Sequence, residues 1–466
     1  MRAWSPERIA IEAGAQLLSP GPSPPARGPE RATVDSRSAG TGTLFVGLRG
    51  QNVDGGSFAA AALESGAWGA LVTPAYAEDA VAAGRGAVLV AEDPLASLQR
   101  LARAWRRELD AKVIGVTGST GKTSTKDLLL AVLAPHRRTV ASRANFNTEI
   151  GLPLEILAAP AGTEVLVLEM AMRGEGQIAE LAEIAEPDVG VIVTIGPVHL
   201  ELLGSIEAIA AAKAELLAGL APGSVAVVPV GEPLLAPHLR ADLRTVTFGQ
   251  GGDVQLADGD DDHVEINAEG DRIALRVSFT QAHLRRNLLA AVAAARAVGV
   301  RPSGEVVLAL SPGRGQRMTL PDGITLIDDC YNANPVSMRA ALDELSTVAH
   351  RLGGRQVAVL GDMLELGPGE REFHLDIGAY ARERGVDALV AVGRLGQALA
   401  EGFGGGSVRL ARDAAEAAGA VSSMVAQGDV VLVKASRGVG LELVCRALEE
   451  RASDGEVRPS VAQQRA

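Results

Sequence analysis

The chain has 466 residues, enough for two to four domains that each bury a core. Hydrophobic residues make up 47%, which excludes disorder of the whole chain, and aromatics only 3%, so the cores must be built from Ala, Val, Leu and Ile. A net charge of −13 argues against a nucleic-acid partner, whose binding needs neutralised phosphates, while leaving room for a local basic pocket that holds a nucleotide.

No apolar run reaches the ~20 residues of a membrane span. Met1 to Leu18 lacks the basic and then apolar segments of a secretory signal. By number and spacing the two cysteines, Cys330 and Cys445, predict neither a disulfide framework nor a zinc site. A soluble, cytoplasmic protein is expected, without a membrane span.

Ser5-Pro6-Glu7 reads as a helix N-cap with Pro at the first helical position, opening a helix to about Leu18. Ser19 to Arg31 is rich in Pro and Gly and reads as a loop. Thr43–Leu48 and Ala67–Thr73 suit short strands, with a helix over Phe58–Glu64 between them. This first section, to about Asp110, has the pattern of a small α/β domain. The second has buried runs at Val113–Thr117, Val165–Glu169, Val189–Ile195 and Val225–Val230, separated by helical patterns. That alternation predicts a parallel sheet with helices on both faces. Asp253–Phe279 alternates as antiparallel hairpins do, and a helix over Leu284–Val298 closes the section.

The third section starts near Ser311. Its predicted strands are Ile324–Asp328, Val357–Leu360, Ala388–Val392 and Val430–Val433. Each is followed by a polar or Gly-rich loop. Ligands of open α/β sheets bind beyond the carboxyl ends of strands, so these loops predict one functional face. Ser453–Ala466 is polar and predicted to fray. There are no internal repeats.

The sharpest motif is Gly115-Val116-Thr117-Gly118-Ser119-Thr120-Gly121-Lys122-Thr123-Ser124, between a predicted strand and a predicted helix. Glycines let backbone N–H groups converge on phosphate oxygens, and the helix N-terminus adds partial positive charge. Lys122 would neutralise the β- and γ-phosphates and the Thr123 hydroxyl would hold Mg²⁺. Val116 stands where the strict G-x-x-x-x-G-K-[ST] pattern has its first Gly. An ordinary Gly-rich turn explains the segment less well than nucleotide binding.

Other candidates are less specific alone. Glu169 ends a strand and reads equally as a solvated carboxylate or an Mg²⁺ ligand. His199 alone reads better as a satisfied loop histidine, and Lys213 as a surface helix lysine paired with an acid. Asp328-Asp329-Cys330-Tyr331-Asn332-Ala333-Asn334-Pro335 suits turn chemistry as well as ribose or phosphate recognition. Lys434, Ser436 and Arg437 lie in a post-strand loop that could bind a carboxylate. Lysine usage sharpens the picture: the chain has five, Lys112, Lys122, Lys126, Lys213 and Lys434, against 39 arginines. A coding bias toward Arg explains the ratio, and under it a retained Lys is more often one that Arg cannot replace.

Together these residues resemble the Mur ligase family of peptidoglycan synthesis over nearly the whole chain. The phosphate loop, Asn145-Phe146-Asn147-Thr148-Glu149-Ile150-Gly151-Leu152-Pro153, Tyr331 to Pro335 with Ser337-Met338, and Gly361-Asp362-Met363-Leu364-Glu365-Leu366-Gly367 carry the resemblance. The last two are similar to the members that add D-alanyl-D-alanine, and the D-N-P-R signature of the diaminopimelate-adding members is absent.

The resemblance implies three α/β domains: a small UDP-sugar-binding domain over 1–110, a central P-loop ATPase-like parallel-sheet domain over 111–310, and a Rossmann-like domain over 311–466 that contacts the dipeptide and ATP. It implies ATP and two Mg²⁺ as cofactors. Lys122, Glu169, His199 and Lys213 are implied catalytic residues, with Thr123, Glu169, His199 and a carbamylated Lys213 on the metals. Gly118, Ser119, Thr120, Gly121, Lys122, Thr123, Ser124, Asn287, Arg314, Asp329 and Tyr331 would contact ATP. Ser36, Arg37, Arg49, Gly50, Asn147, Thr148, Asn332, Asn334, Lys434, Ser436 and Arg437 would contact substrates. Leu284, Gly56 and Met170-Ala171-Met172-Arg173 depart from the family's usual residues.

The expected activity is joining D-alanyl-D-alanine to UDP-N-acetylmuramoyl-tripeptide through an acyl-phosphate, by a monomer whose third domain closes on the second. The rivals are a relative that adds a different amine and a P-loop NTPase that switches a partner.

Overall fold

A computed structural model describes residues 1, 3–21, 27–143 and 145–456. The chain divides into two compact units, one of Met1–Val193 with Ala210–Leu308 and one of Thr194–Ile209 with the chain from Ala309 onward. Among the described residues no helix is long and apolar enough to cross a membrane.

The first unit holds two sheets. The smaller has five strands in the order Gln16–Ser19, Ala87–Val90, Gly69–Val72, Thr43–Val46, Arg31–Thr33, all pairs parallel except the first. The helix from Pro6 stops at Ala13 rather than Leu18: Gly14, at φ 64°, takes the left-handed conformation and returns its N–H to Ala10 and Ile11. The next residues then become the edge strand. Of the Pro/Gly-rich stretch after it, residues 22–26 lie outside the described residues, and Arg31 begins a strand. The helix Pro94–Leu109, capped by Asp93 onto Leu95 and Ala96, leads out of this sheet. Its Trp105 meets Trp4 edge-to-face at 5.4 Å and donates to the Ala159 carbonyl.

The larger sheet has ten strands. Its parallel centre places Lys112–Thr117 between Val165–Glu169 and Val189–Ile192, so the ends of these three strands share one edge. The expected hairpins are present as Val254–Gly259, His263–Ala268 and Asp271–Val277; the last two alternate between buried and more open positions, whereas the first is buried only at Val254 and opens toward Gly259. The helix Ala282–Ala297 packs on Lys122–Leu133, its run Ala290–Ala295 wholly buried.

The second unit is built on six strands ordered Gln316–Thr319, Thr325–Asp328, Val430–Lys434, Gln356–Gly361, Ala388–Val392, Ser407–Ala411. Only the first pair is antiparallel, so the four polar loops expected to share a face do leave one edge. Apolar clusters cover both faces of this sheet. The fraying expected from Ser453 does not begin there, because the helix Glu442–Glu456, whose own Ala452 is buried, continues past it. Residues 457–466 lie outside the described residues. The architecture is α/β, as expected.

Candidate active site

The phosphate loop of the first unit is shaped by two glycines. Gly118 (φ 154°) turns the chain out of the strand, and Gly121 (φ 80°) starts the helix Lys122–Leu133. A Cβ at Gly121 would stand 2.9 Å from Val193 and 3.0 Å from the Asn287 amide, so only glycine lets the loop approach so closely. The N-cap residue, Gly121, has no side chain to spend on the helix N-terminus, whose backbone N–H groups and partial positive charge suit a phosphate. Lys122 Nζ folds back to donate to the Gly118 carbonyl at 2.7 Å. Ser119 is buried, and Thr120 and Ser124 flank the loop half-buried.

Glu169, 3% exposed, is held at the next strand end. Its Oε2 accepts from the Thr123 hydroxyl and its Oε1 from the Asn147 amide, both at 2.9 Å, and its N–H donates to Ser142 Oγ. No cationic side chain pairs with this buried carboxylate among the described residues. An anion in low dielectric without a counter-charge fits a divalent cation held with Thr123. Sequence reasoning missed Ser142 and Lys126, whose buried Nζ donates to the Ser142 carbonyl and pairs with Asp127. Asn147, expected on the substrate, spends its amide on Glu169. Thr148 Oγ1 accepts from Gly151 at 3.4 Å, beside the start of the helix Gly151–Ala158.

Lys213 is not the surface lysine its helix pattern alone predicts. It lies in the helix Ile206–Ala218, 2% exposed, flanked by buried Ala210, Ala212 and Ala214. Among the described residues nothing accepts a hydrogen bond from its Nζ and no carboxylate pairs with it. Burial, and then the charge of Lys122, push its pKa well below the ordinary lysine value. Asn287 is buried with its amide against Gly121. Its neighbour Leu284 is a buried core residue, which accounts for an apolar side chain there.

His199 stands in the second unit. Its backbone is left-handed (φ 54°), as is that of Glu365 (φ 63°), and its Nδ1 contacts the Glu365 carboxylate. Two non-glycine residues held in this sparsely populated region mark a constrained pair.

The loops of the second unit interlock. Lys434, 1% exposed, donates to Asp329 Oδ2 at 2.7 Å and to the Asn332 carbonyl at 2.9 Å. Burial raises the Asp329 carboxyl pKa, against the opposing pull of Lys434 and Arg314. The Arg314 guanidinium lies 4.0 Å from the Tyr331 ring centroid and that of Arg437 lies 5.5 Å from it, which gathers three predicted residues into one cation–aromatic stack. Asn332 is exposed, with its own Oδ1 on Ala333 N.

Asn334 and Ser436 serve the framework. Asn334 forms a reciprocal capping box with Ser337 at the helix Pro335–Leu352. Ser436 Oγ accepts from Leu364 N at 2.9 Å. Two further residues escaped sequence reasoning. Asp362 accepts from the N–H groups of Arg394 and Leu395, and buried His374 accepts from Met363 N through Nε2 while its Nδ1 meets the Glu370 carbonyl. Only their place in a post-strand loop and a helix facing it hinted at this.

In the first sheet, Asp35 caps the turn Ser36–Ser38 and grips the exposed Arg37 side chain through two hydrogen bonds of 2.9 Å. Arg49 bridges to Asp54, and Gly50 N donates to Val53. Gly56 is explained by Tyr76: a Cβ there would fall 2.2 Å from its ring.

Residues 116–295 match the Mur ligase middle domain, and residues 313–437 the Mur ligase glutamate ligase domain. A UDP-N-acetylmuramoyl-tripeptide–D-alanyl-D-alanine ligase of Bacillus subtilis is 36% identical over 435 residues, 90% of this chain and 92% of that one. One of the same name from Synechocystis is 38% identical over 427 residues, 89% and 91% of the two chains. Among solved structures, MurF from Acinetobacter baumannii superposes with a TM-score of 0.83 at 28% identity, covering 96% of this chain and 99% of its own. MurF ligase from Thermotoga maritima, in complex with ADP, does so at 0.79 and 30% identity, covering 91% and 98%. The family match and relatives aligned over about nine-tenths of the chain agree with the phosphate loop and its buried carboxylate, and the chain belongs to the Mur ligase family.

Proposed function

We propose that the protein is an ATP-dependent ligase that joins D-alanyl-D-alanine to UDP-N-acetylmuramoyl-tripeptide, giving the pentapeptide precursor of peptidoglycan. The observation that carries this reading is the phosphate loop with Thr123 hydrogen-bonded to an unpaired buried Glu169, in a chain whose 34–38% identical relatives carry that ligase name. The sugar nucleotide occupies residues 1–110 at Ser36, Arg37, Arg49 and Gly50. ATP lies on 111–310, and the incoming dipeptide on 311–466 at Asn332, Lys434 and Arg437. The protein acts as a cytoplasmic monomer.

The residues do little covalent chemistry. The loop N–H groups and Lys122 orient the triphosphate and neutralise the charge that grows as the tripeptide carboxylate takes the γ-phosphoryl group. Glu169 and Thr123 would hold Mg²⁺, which supplies further charge neutralisation at the phosphates. His199 joins that set on the family resemblance alone. The acyl-phosphate so formed is attacked by the dipeptide amine and phosphate leaves. Asp329, held by Lys434, is the acid that the family resemblance assigns to the ribose, and the Arg314–Tyr331–Arg437 stack supplies a flat cationic surface.

Lys213 has a separate part. An amine kept neutral by burial adds to CO₂, losing one proton to become a carbamate, an anionic oxygen ligand that Arg cannot become. Intact-protein mass spectrometry under CO₂, after trapping of the carbamate by alkylation, should show one such group and none in Lys213→Ala.

The deciding experiment is ADP release with ATP, Mg²⁺ and UDP-N-acetylmuramoyl-tripeptide, with and without D-alanyl-D-alanine. Sustained release that needs both, with a pentapeptide mass, supports the ligase. Release restored only by another amine moves the specificity, and ATP turnover without an acceptor sinks the proposal. In the same assay Lys122→Ala should lose about 10³-fold or more in kcat while staying folded.

A further inference from the structure

Cys330 follows the strand Thr325–Asp328 by two residues, and Cys445 lies in the helix Glu442–Glu456. They are the chain's only cysteines. The fold brings both Sγ atoms and a carboxylate oxygen of Asp328 within 4.8 Å of one another. Both thiols are buried, at 6% and 4% exposure, while half-buried Asp328 gives the cluster its side toward solvent. The Asp328 Oδ1 accepts from Cys330 N at 3.2 Å, which fixes the carboxylate over the turn. Gly313 closes another side, since a Cβ on it would stand 3.5 Å from Cys330 Sγ.

Chance does not readily produce this meeting. A buried residue touches about 6–12 others, so a second cysteine placed at random would contact the first in only about 2 cases in 100. The donor set is also chemically specific. Two thiols and one carboxylate from three points of the chain suit a tetrahedral borderline-soft cation, not Mg²⁺ or Ca²⁺, which want oxygen alone. Tetrahedral zinc places its sulfur and oxygen donors about 3.5–3.8 Å apart, inside the observed limit.

We propose that Asp328, Cys330 and Cys445 form a binding site for a divalent cation of the zinc class, with water in the fourth position. Two sulfur–metal bonds form as two thiol protons leave to solvent, with no change of oxidation state. The contact with Cys330, burial and the Asp328 carboxylate all push the Cys445 thiol up. Occupancy ties the start of the Asp329–Asn334 loop to the last helix, one residue from Asp329 and from Tyr331.

The test is a Co²⁺ titration of the full-length, reduced, metal-stripped protein in excess Mg²⁺, which fills oxygen-only sites. Expected are thiolate-to-cobalt charge-transfer bands in the near ultraviolet that saturate at one Co²⁺ per chain and are displaced by Zn²⁺. Cys330→Ser and Cys445→Ser should each remove about half of their intensity. Asp328→Asn, which keeps both thiols, should weaken Co²⁺ binding about ten-fold or more. Glu169→Gln should leave the bands unchanged. The proposal is overturned by saturating Co²⁺ without charge-transfer bands, by bands that survive both serine substitutions, or by a denatured as-isolated protein with no titratable thiol, which would make the pair a disulfide. Should a serine variant fail to fold, unaltered cobalt affinity in Asp328→Asn overturns it instead.

Discussion

Lys213 and Lys434 are both almost wholly buried, at 2% and 1% exposure, yet their surroundings are opposite. In the first unit Lys213 has no carboxylate, faces the charge of Lys122 and is driven toward the neutral amine. At the edge of the six-stranded sheet Lys434 holds Asp329 and the Asn332 carbonyl and knits two loops together. The same residue type is thus left as an unpartnered amine in one region and made a strut in the other, and what decides is whether a counter-charge was folded in beside it.

Substitution separates the two roles most sharply. Lys213→Met should cut kcat about 10³-fold or more by removing the carbamate, while the thermal midpoint holds or rises, because an unpartnered buried amine is replaced by an apolar chain of similar length. A variant that keeps turnover would end the carbamate assignment. Lys434→Met should instead cost about 1–3 kcal/mol in urea unfolding, since the half-buried Asp329 carboxylate and the Asn332 carbonyl lose their donor. Adding Asp329→Asn should return much of that loss, and a strictly additive double variant would show that the pair is not coupled.

Smaller effects probe the frame of the second site. Asn334→Ala removes one half of the capping box and should cost about 1 kcal/mol, with Asn334→Asp close to neutral. The smallest expected effect is a pH dependence from His374. Burial, the largest cause, and Arg394 lower its pKa below the usual 6.5, while the Glu370 carbonyl and the Asp362 and Glu370 carboxylates oppose the shift. The unfolded chain then binds more protons than the folded one between those two values. The stability His374 contributes is therefore present above 6.5 and lost as pH falls from there through the folded value. Urea midpoints should decline over that window, and His374→Gln should flatten the decline. A profile as steep in the variant would assign the effect to another group.

How much of this was legible depended on the range of the interactions. The strands Val165–Glu169, Ala388–Val392 and Val430–Lys434 are apolar runs bounded by polar residues, and they could be read locally. Gln16–Ser19 could not: the Ser5-Pro6 start favours a helix running through it, and only Gly14 and pairing with Ala87–Val90 turn it into a strand. Thr139–Ala141 and Gly304–Val306 are three-residue edge strands, too short for any periodicity to register. The cap of Asn334 was written in Asn-Pro followed by Ser, although the loop's resemblance drew attention to substrate instead. Ser142 has no motif at all, and its role comes from standing beside Glu169.

The amino-acid sequence by itself determined the phosphate loop and the alternation of strands and helices, because glycine geometry and periodicity are local properties. Only the tertiary structure decided that Lys213 is a buried amine, that Lys434 is a strut and that Asp328, Cys330 and Cys445 meet. Burial and counter-charge are supplied by residues distant along the chain, and no window of sequence contains them.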